Sequence, residues 1–505
     1  MSPLAPAMTP PDRRTVNFIT TKTSNHSVAT TVTAHKPTER NKTMSTRAYP
    51  TSRKLIDLLG DVAIISLTYI VLALLLVNRQ ALATHIVLYS GMLPLAVILS
   101  IGLFIIYGLY TLQYKRFSEI IISLFVSLIA VFFIIMAISF LFNYSYYSRI
   151  LLISSTVVQF ILLIIWKRIW QKYEQSLHPE RNVMIIGGEK ECRHVYFRMN
   201  AQPQLKLHLK HVIMNETEKW RDVADLHDVD CIIICSDVPI QTRADIVYYC
   251  MDNDIQPYVI PDSYEIIANG AMLRKIDDIP VFRPRSLHLS IEQRAGKRVM
   301  DLLFAGIAAI CALPIAAIVA LAIKLEDHGP VLYSQVRVGR FGVDYKVYKF
   351  RSMRVDAEKY SGPQLATEND PRITKVGKFI RATRLDEIPQ IWNVLNGNMS
   401  LVGPRPERPY FVEQFVEEYP EYSYRHNVKP GITGLAQVFA KYNTTPYDKL
   451  VYDLMYIENF SLIQDLVIMV HTVKIIFTKS ATEGAVDINK LTVDFNEIEK
   501  VKSGR

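Results

Sequence analysis

Cysteine is scarce in this chain: five in 505 residues, namely Cys192, Cys231, Cys235, Cys250 and Cys311. Their number is odd and no pair stands in a CxxC spacing. That excludes a disulfide framework or a zinc-ribbon site and fits a reducing compartment. Charge is sparse too, at 21% of residues against about 25% in an ordinary soluble domain. Acidic residues number 48 against 57 basic ones, leaving a formal charge of +9. No HExxH or histidine cluster offers a transition-metal site. The first fifty residues carry no apolar run, so a cleavable secretory leader is not expected there.

Apolar residues are abundant. They make up 50% of the chain, and the mean hydropathy is +0.14. At about 150 residues per domain the length predicts three or four units. The greasy and basic character together admits nucleic acid, anionic lipid or a phosphorylated substrate as partner.

Residues 1–50 are rich in Ser, Thr, Pro and Asn and read as a disordered tail. Four apolar runs follow: Leu55–Val77, Ile86–Tyr110, Phe117–Phe142 and Ile150–Trp166. Each approaches or exceeds the roughly 17–25 residues that span a bilayer. Lys and Arg flank the first run, sit between the second and third, and follow the fourth. The positive-inside rule then puts both ends of the bundle (51–172) in the cytoplasm. Asp57 and Asp61 lie near the first boundary, where either an interfacial placement or a functional pair would fit.

Residues 181–265 alternate short β-prone runs with polar, helix-compatible stretches, which predicts a Rossmann-like parallel α/β domain. Its first strand leads into Gly187-Gly188. A dinucleotide loop needs three spaced glycines, so a nucleotide-free scaffold or regulatory domain is the expectation. Residues 266–292 read as a linker. A fifth apolar run, within 297–325, is interrupted by Asp301 and Pro314. A full crossing would export a strongly basic segment against the positive-inside trend. Pro314 removes a backbone donor mid-run and should break the helix. Both features favour a re-entrant helix that dips into one leaflet and returns.

Asp386-Glu387 stands just before Pro389, and proline suits a helix's first turn. The macrodipole at a helix N-terminus favours ionised carboxylates, and an ionised Asp can attack phosphorus. A plain capping box, with Glu387 as cap and Gln390 three residues on, fits the same spacing. Arg405 lies between Pro404 and Pro406, a stiff loop that suits bidentate phosphate binding.

Several long stretches stand in fixed order. They include Gly329-Pro330-Val331-Leu332-Tyr333-Ser334-Gln335, Lys349-Phe350-Arg351-Ser352-Met353 and Asp356-Ala357-Glu358. Further on come Leu385-Asp386-Glu387-Ile388-Pro389-Gln390, Gly403-Pro404-Arg405-Pro406-Glu407 and Lys429-Pro430-Gly431-Ile432-Thr433-Gly434. From Lys297 to Asp465 the chain closely resembles the bacterial sugar transferases, which load a hexose 1-phosphate onto a polyprenyl phosphate. With its bundle and α/β domain it resembles the large members, which start exopolysaccharide, capsule or O-antigen repeat units.

The resemblance implies a membrane protein of three parts: a four-helix transmembrane bundle, a Rossmann-like α/β domain, and an α/β catalytic domain (293–480) with a re-entrant helix, followed by a tail (481–505). It implies that Asp386 and Glu387 are catalytic and that Arg381, Arg405, Arg351 and Arg372 bind substrate phosphates. Gln390 and His426 become candidate substrate contacts. It implies Mg²⁺, held most simply by Asp386 and the donor diphosphate. The implied donor is a UDP-hexose such as UDP-glucose and the acceptor is undecaprenyl phosphate. Membrane lipids and downstream glycosyltransferases are the expected surroundings, a homodimer is compatible, and nucleic acid is not expected. The implied location is the bacterial inner membrane, with the catalytic domain in the cytoplasm.

Arg384 departs from the usual small residue before Leu-Asp-Glu. Leu435 and Phe439-Ala440 depart from the usual Trp and Asn-Gly, which bears on the sugar rather than the reaction. Rival readings are an inactive membrane scaffold or regulator, a transporter and a nucleotide-sugar dehydratase. Few intramembrane charges support transport. The incomplete glycine loop and the lack of a YxxxK site oppose a dehydratase.

Overall fold

The computed structural model describes residues 51–77, 80, 86–142, 148–215, 217–222, 226–355, 370–440 and 444–476. The two expected tails, the Asp356-Ala357-Glu358 stretch and Lys441-Tyr442-Asn443 lie outside the described residues.

Four helices open the chain: α1 (Thr51–Leu76), α2 (Ile86–Ile106), α3 (Phe117–Leu141) and α4 (Arg149–Leu177). At 1.5 Å per residue, α1 reaches about 39 Å, more than a hydrocarbon core of about 30 Å. Among the described residues, Ser52–Leu76, Phe117–Leu141, Arg149–Leu177 and Ile291–Asp327 are long and apolar enough to cross a membrane, and Gly91–Ile106 is a shorter apolar helix. Helix α4 outruns its expected end at Trp166. Its added turns bury Lys167, Trp170, Gln171 and Glu174. Asp57 and Asp61 are fully buried within the protein. Both pair with Lys167, at 2.8 and 2.7 Å, and all three side chains are inaccessible to solvent.

A four-stranded parallel sheet follows, in the order β2-β1-β3-β4. The strands are β1 (Arg181–Gly187), β2 (Leu207–Met214), β3 (Cys231–Ile234) and β4 (Gln256–Val259). Val183, Met184, Ile185 and Ile186 are fully buried. Two distinct clusters receive them, one holding Val183 and Ile185 and the other Met184 and Ile186. That is the two-sided burial typical of a parallel sheet. Helices α5 (Glu189–Asn200) and α6 (Ile240–Asp252) connect the strands.

The expected linker contains structure. After α7 (Ser263–Asn269), residues Met272–Ile276 (β5) and Ile279–Arg283 (β6) form an antiparallel hairpin. Two aspartates make its turn, and Asp277 adopts φ 54°. Pro280 and the basic residues obscure the period-2 pattern of these strands in the sequence.

Helix α8 runs unbroken from Ile291 to Asp327 with Pro314 inside it. A Ser290–Gln293 capping box starts it. Straight, it would measure about 55 Å. Its two halves nevertheless pack on the same domain. Ala305 shares a buried cluster with Val347, Val394 and Met399, while Val319 and Ile323 share one with Phe350 and Ile380. Val347 and Phe350 are three residues apart on one strand, about 10 Å. Ala305 and Ile323 would be about 27 Å apart in a straight helix. Between the anchored halves, Ile307, Ile310 and Leu313 stand exposed.

The rest of that domain comprises the hairpin β7 (Leu332–Val338) and β8 (Asp344–Phe350), helices α9 (Lys375–Ala382) and α10 (Gln390–Leu395), and the parallel pair β9 (Ser400–Val402) and β10 (Gly431–Thr433). Helices α11 (Pro409–Glu418), α12 (Leu435–Phe439), α13 (Pro446–Glu458) and α14 (Leu462–Ile476) complete it. The α14 helix joins bundle to domain. Val470 O accepts from the Tyr107 hydroxyl at 2.8 Å, and the Thr433 and Thr472 hydroxyls lie 2.7 Å apart.

Candidate active site

The dyad sits on a 3₁₀ turn, Leu385–Glu387, that leads through Ile388 and Pro389 into α10. The carboxylates are thus one turn ahead of the helix rather than in its first turn, and no side-chain cap bond forms. Arg384 begins the turn in the left-handed region, φ 60°.

Asn393 sets where the turn lies. It is fully buried, accepts from Tyr348 N at 3.1 Å and donates to Lys346 O at 2.7 Å. Both ends of one amide therefore clamp α10 to the edge of β8. That brings Lys349, near the end of β8, against the dyad. Its ammonium lies 2.7 Å from Glu387 Oε1.

Arg405 approaches from the other side, with Nη2 3.2 Å from the same Oε1. Its loop is fastened at several points. Gly403 N donates to Thr433 O at 2.8 Å and Gly431 N to Pro404 O at 2.9 Å. The Arg405 carbonyl accepts from Arg425 Nη2 at 2.9 Å, and Pro406 O accepts from Arg337 at 3.1 Å. Arg425 is buried and balanced by Asp453 at 2.8 Å. The stiffness expected from the flanking prolines is thus reinforced by tertiary bonds.

The two carboxylates are placed in different electrostatic states. Burial pushes Glu387 up, but Arg405 and Lys349 together outweigh it and hold Glu387 well below the usual carboxylate range. Burial pushes Asp386 up, reinforced by the Glu387 charge and opposed by Lys349, Arg381 and Arg405. The Asp386 carboxylate accepts no hydrogen bond among the described residues. One carboxylate is locked and neutralised, and its neighbour is half-buried without a hydrogen-bond partner among the described residues.

The remaining expected residues divide. Arg381 closes α9, and its charge is felt at Asp386. Arg351 is buried elsewhere: it pairs with Asp327 at 2.6 Å through Nη1 and donates Nε to Pro330 O at 2.6 Å. Its guanidinium pins the end of α8 to β8. Arg372 grips Asp370, at 2.5 Å through Nη2. Gln390 is buried at the start of α10. The His426 ring packs edge-on to Tyr422, and burial lowers its pKa to about 4. Sequence reasoning does not single out Lys349 or Asn393 as site residues, although Lys349 lies within a quoted motif. A lysine ending a strand and an asparagine inside a helix carry no local sign of what they face.

This is a membrane-associated α/β protein with a carboxylate pair in a cationic cradle. The bacterial sugar transferase model matches residues 292–479. The chain is 49% identical over 185 residues to the UDP-N-acetylgalactosamine-undecaprenyl-phosphate N-acetylgalactosaminephosphotransferase of Aeromonas hydrophila, covering 36% of this chain and 44% of that one. It is 39% identical over 233 residues to the UDP-glucose:undecaprenyl-phosphate glucose-1-phosphate transferase of Escherichia coli K12, covering 45% and 50%. With the exopolysaccharide production protein PSS of Rhizobium leguminosarum it shares 42% identity over 189 residues, covering 35% and 92%. The chain belongs to the bacterial sugar transferase family. It spans about half the length of the first two relatives.

A CoA-binding domain model matches residues 106–253. The residues at the glycine loop do not fit a pyrophosphate. Gly188 N, where a phosphate would dock, already donates to Asp237 Oδ2 at 2.7 Å. A Cβ on Gly188 would collide with that same oxygen. Glu189 and Glu191 add negative charge in the first turn of α5.

Proposed function

We propose that the protein transfers a sugar 1-phosphate from a UDP-sugar to undecaprenyl phosphate through a covalent intermediate on Asp386. A carboxylate oxygen of Asp386 attacks the β-phosphorus and the phosphoanhydride bond to UMP breaks. The acceptor's phosphate oxygen then attacks the same phosphorus and frees the carboxylate. One anhydride is exchanged for another, so no outside energy source is needed. The observation that carries this reading is the asymmetry of the dyad. Asp386 is half-buried and accepts no hydrogen bond among the described residues, while Glu387 is held ionised between Lys349 and Arg405. Lys349, Arg405 and Arg381 gather positive charge where phosphate charge develops.

An unpartnered carboxylate beside a diphosphate fits Mg²⁺, which takes few protein ligands and keeps waters. Asp386 would hold it, and the ion would supply charge neutralisation at the donor diphosphate. The relatives' names include N-acetylgalactosamine and glucose donors, so both UDP-N-acetylhexosamines and UDP-hexoses belong in the test.

We read α8 as re-entrant in the bacterial inner membrane, with the dyad on the cytoplasmic side. Support comes from the packing of both its halves against one domain around Pro314. The test of the reaction is a panel of UDP-sugars with polyprenyl phosphate and Mg²⁺, scored by UMP release. UMP release that persists in Asp386→Asn overturns the nucleophile.

A further inference from the structure

A second cationic cluster lies at the opposite end of α10 from the dyad. A cavity of about 100 Å³ opens there, lined among others by Arg294, Lys297, Arg298, Asp301, Arg340 and Lys429. Lys297 is matched by Asp465 at 2.5 Å. The other four cations have no ion-pair partner among the described residues. Arg298 donates to the Val394 and Leu395 carbonyls, Arg294 to Ser290 O and Arg340 to Asn427 O. Those acceptors satisfy N–H groups and leave the charge uncancelled. The Lys429 ammonium donates to no acceptor among the described residues.

Asp301 is the single carboxylate on the lining, and one of its oxygens accepts from Ser400 Oγ and Leu401 N, both at 2.9 Å. The cavity thus faces an excess of positive charge. Arg298 Nη2 and Lys429 Nζ each approach one point beside Gly397, at 3.4 and 3.6 Å. They therefore lie within about 7 Å of each other, close enough to repel. Burial and then Arg298, against the opposing Asp301 charge and with Arg340 and Lys297 adding, hold the Lys429 ammonium below its ordinary pKa. Repelling cations around a cavity are a site for an anion.

Position narrows the ligand. Arg294 and Arg298 stand immediately before the exposed apolar residues Val299, Leu302 and Leu303 of α8. Cations at such a boundary sit at headgroup depth. Arg298 anchors to the C-terminal end of α10, whereas the dyad precedes its N-terminal end, a separation of about 10 Å along the helix.

We infer that this cavity is a second phosphate site, distinct from the dyad, which holds a lipid-borne phosphate at headgroup depth. Two lipids present that chemistry: an anionic phospholipid, and the polyprenyl phosphate acceptor held there before it moves to the dyad, a branch that rests on the reading above.

The experiment uses the full-length chain with Arg340→Gln and Lys429→Gln, singly and together. In one arm, UMP release is titrated with polyprenyl phosphate at saturating donor. A KM for that lipid raised about tenfold or more, with kcat within about twofold, assigns the site to the acceptor. In the other arm, thermal unfolding is followed with phosphatidylglycerol against phosphatidylcholine. Stabilisation by phosphatidylglycerol that the variants lose assigns it to a phospholipid. Parent-like behaviour in both arms overturns the proposal. Arg294→Gln, at an exposed position, serves if the half-buried variants fail to fold. A parent that releases no UMP from any UDP-sugar removes the transferase reading, while the phospholipid arm still tests the cavity.

Discussion

At the residue scale, the dyad joins two groups of one chemical type in opposite states. Glu387 is ionised by its cations and Asp386 is raised by burial. The nucleophile must be deprotonated to attack. Since its pKa lies above the ordinary 3.8, UMP release should fall with decreasing pH at higher values than for an exposed aspartate. A pH–rate profile of kcat/KM checks this. Asp386→Asn should lower the rate by a factor of about 10³ or more. Lys349→Met leaves Arg405 as the close partner of Glu387, and it should cost about tenfold to a hundredfold in kcat/KM. Asn393→Leu acts differently. It leaves Tyr348 N and Lys346 O without their partner and should destabilise by about 1–3 kcal/mol, read as a lower unfolding midpoint.

At the element scale, α8 decides the topology. Its apolar content was plain in the sequence, and so was Pro314. Whether it crosses was not, because hydropathy records length and composition and not where the two ends finish. Asp301 bonded to the β9 strand and Asp327 bonded to Arg351 place both ends on one domain. Lys346, exposed on β8, should therefore react as Lys346→Cys with a membrane-impermeant reagent only after cells are opened. Labelling in intact cells would sink the re-entrant reading. The β5–β6 hairpin shows the converse lesson. Five-residue strands with a proline and adjacent basic residues fall below what local pattern can distinguish from a linker.

At the scale of the whole molecule, the bundle carries a buried charge triad whose pairing sequence spacing did not reveal. Asp57 and Asp61 are one turn apart on α1, and Lys167 reaches both from α4. Removing the lysine leaves two unpaired buried carboxylates. Lys167→Met should cost about 3–5 kcal/mol, measured as thermal stability in detergent. Asp57→Asn should cost far less, since Asp61 still balances Lys167. The triad fixes how α1 and α4 register, and α14 then couples that bundle to the catalytic domain through Tyr107 and Val470.

The sequence by itself determined the apolar helices, the parallel α/β alternation and the family, because each rests on local periodicity or on contiguous motifs. It also singled out Asp386, Glu387 and Arg405. Only the tertiary structure decided which cations serve them. Arg351 and Arg372 look like phosphate ligands along the chain, yet one is tied to Asp327 and the other to Asp370. Lys349 is unremarkable along the chain, yet it sits against Glu387 because Asn393 clamps its strand. Charge type is written locally. Its partner is set by elements tens of residues away.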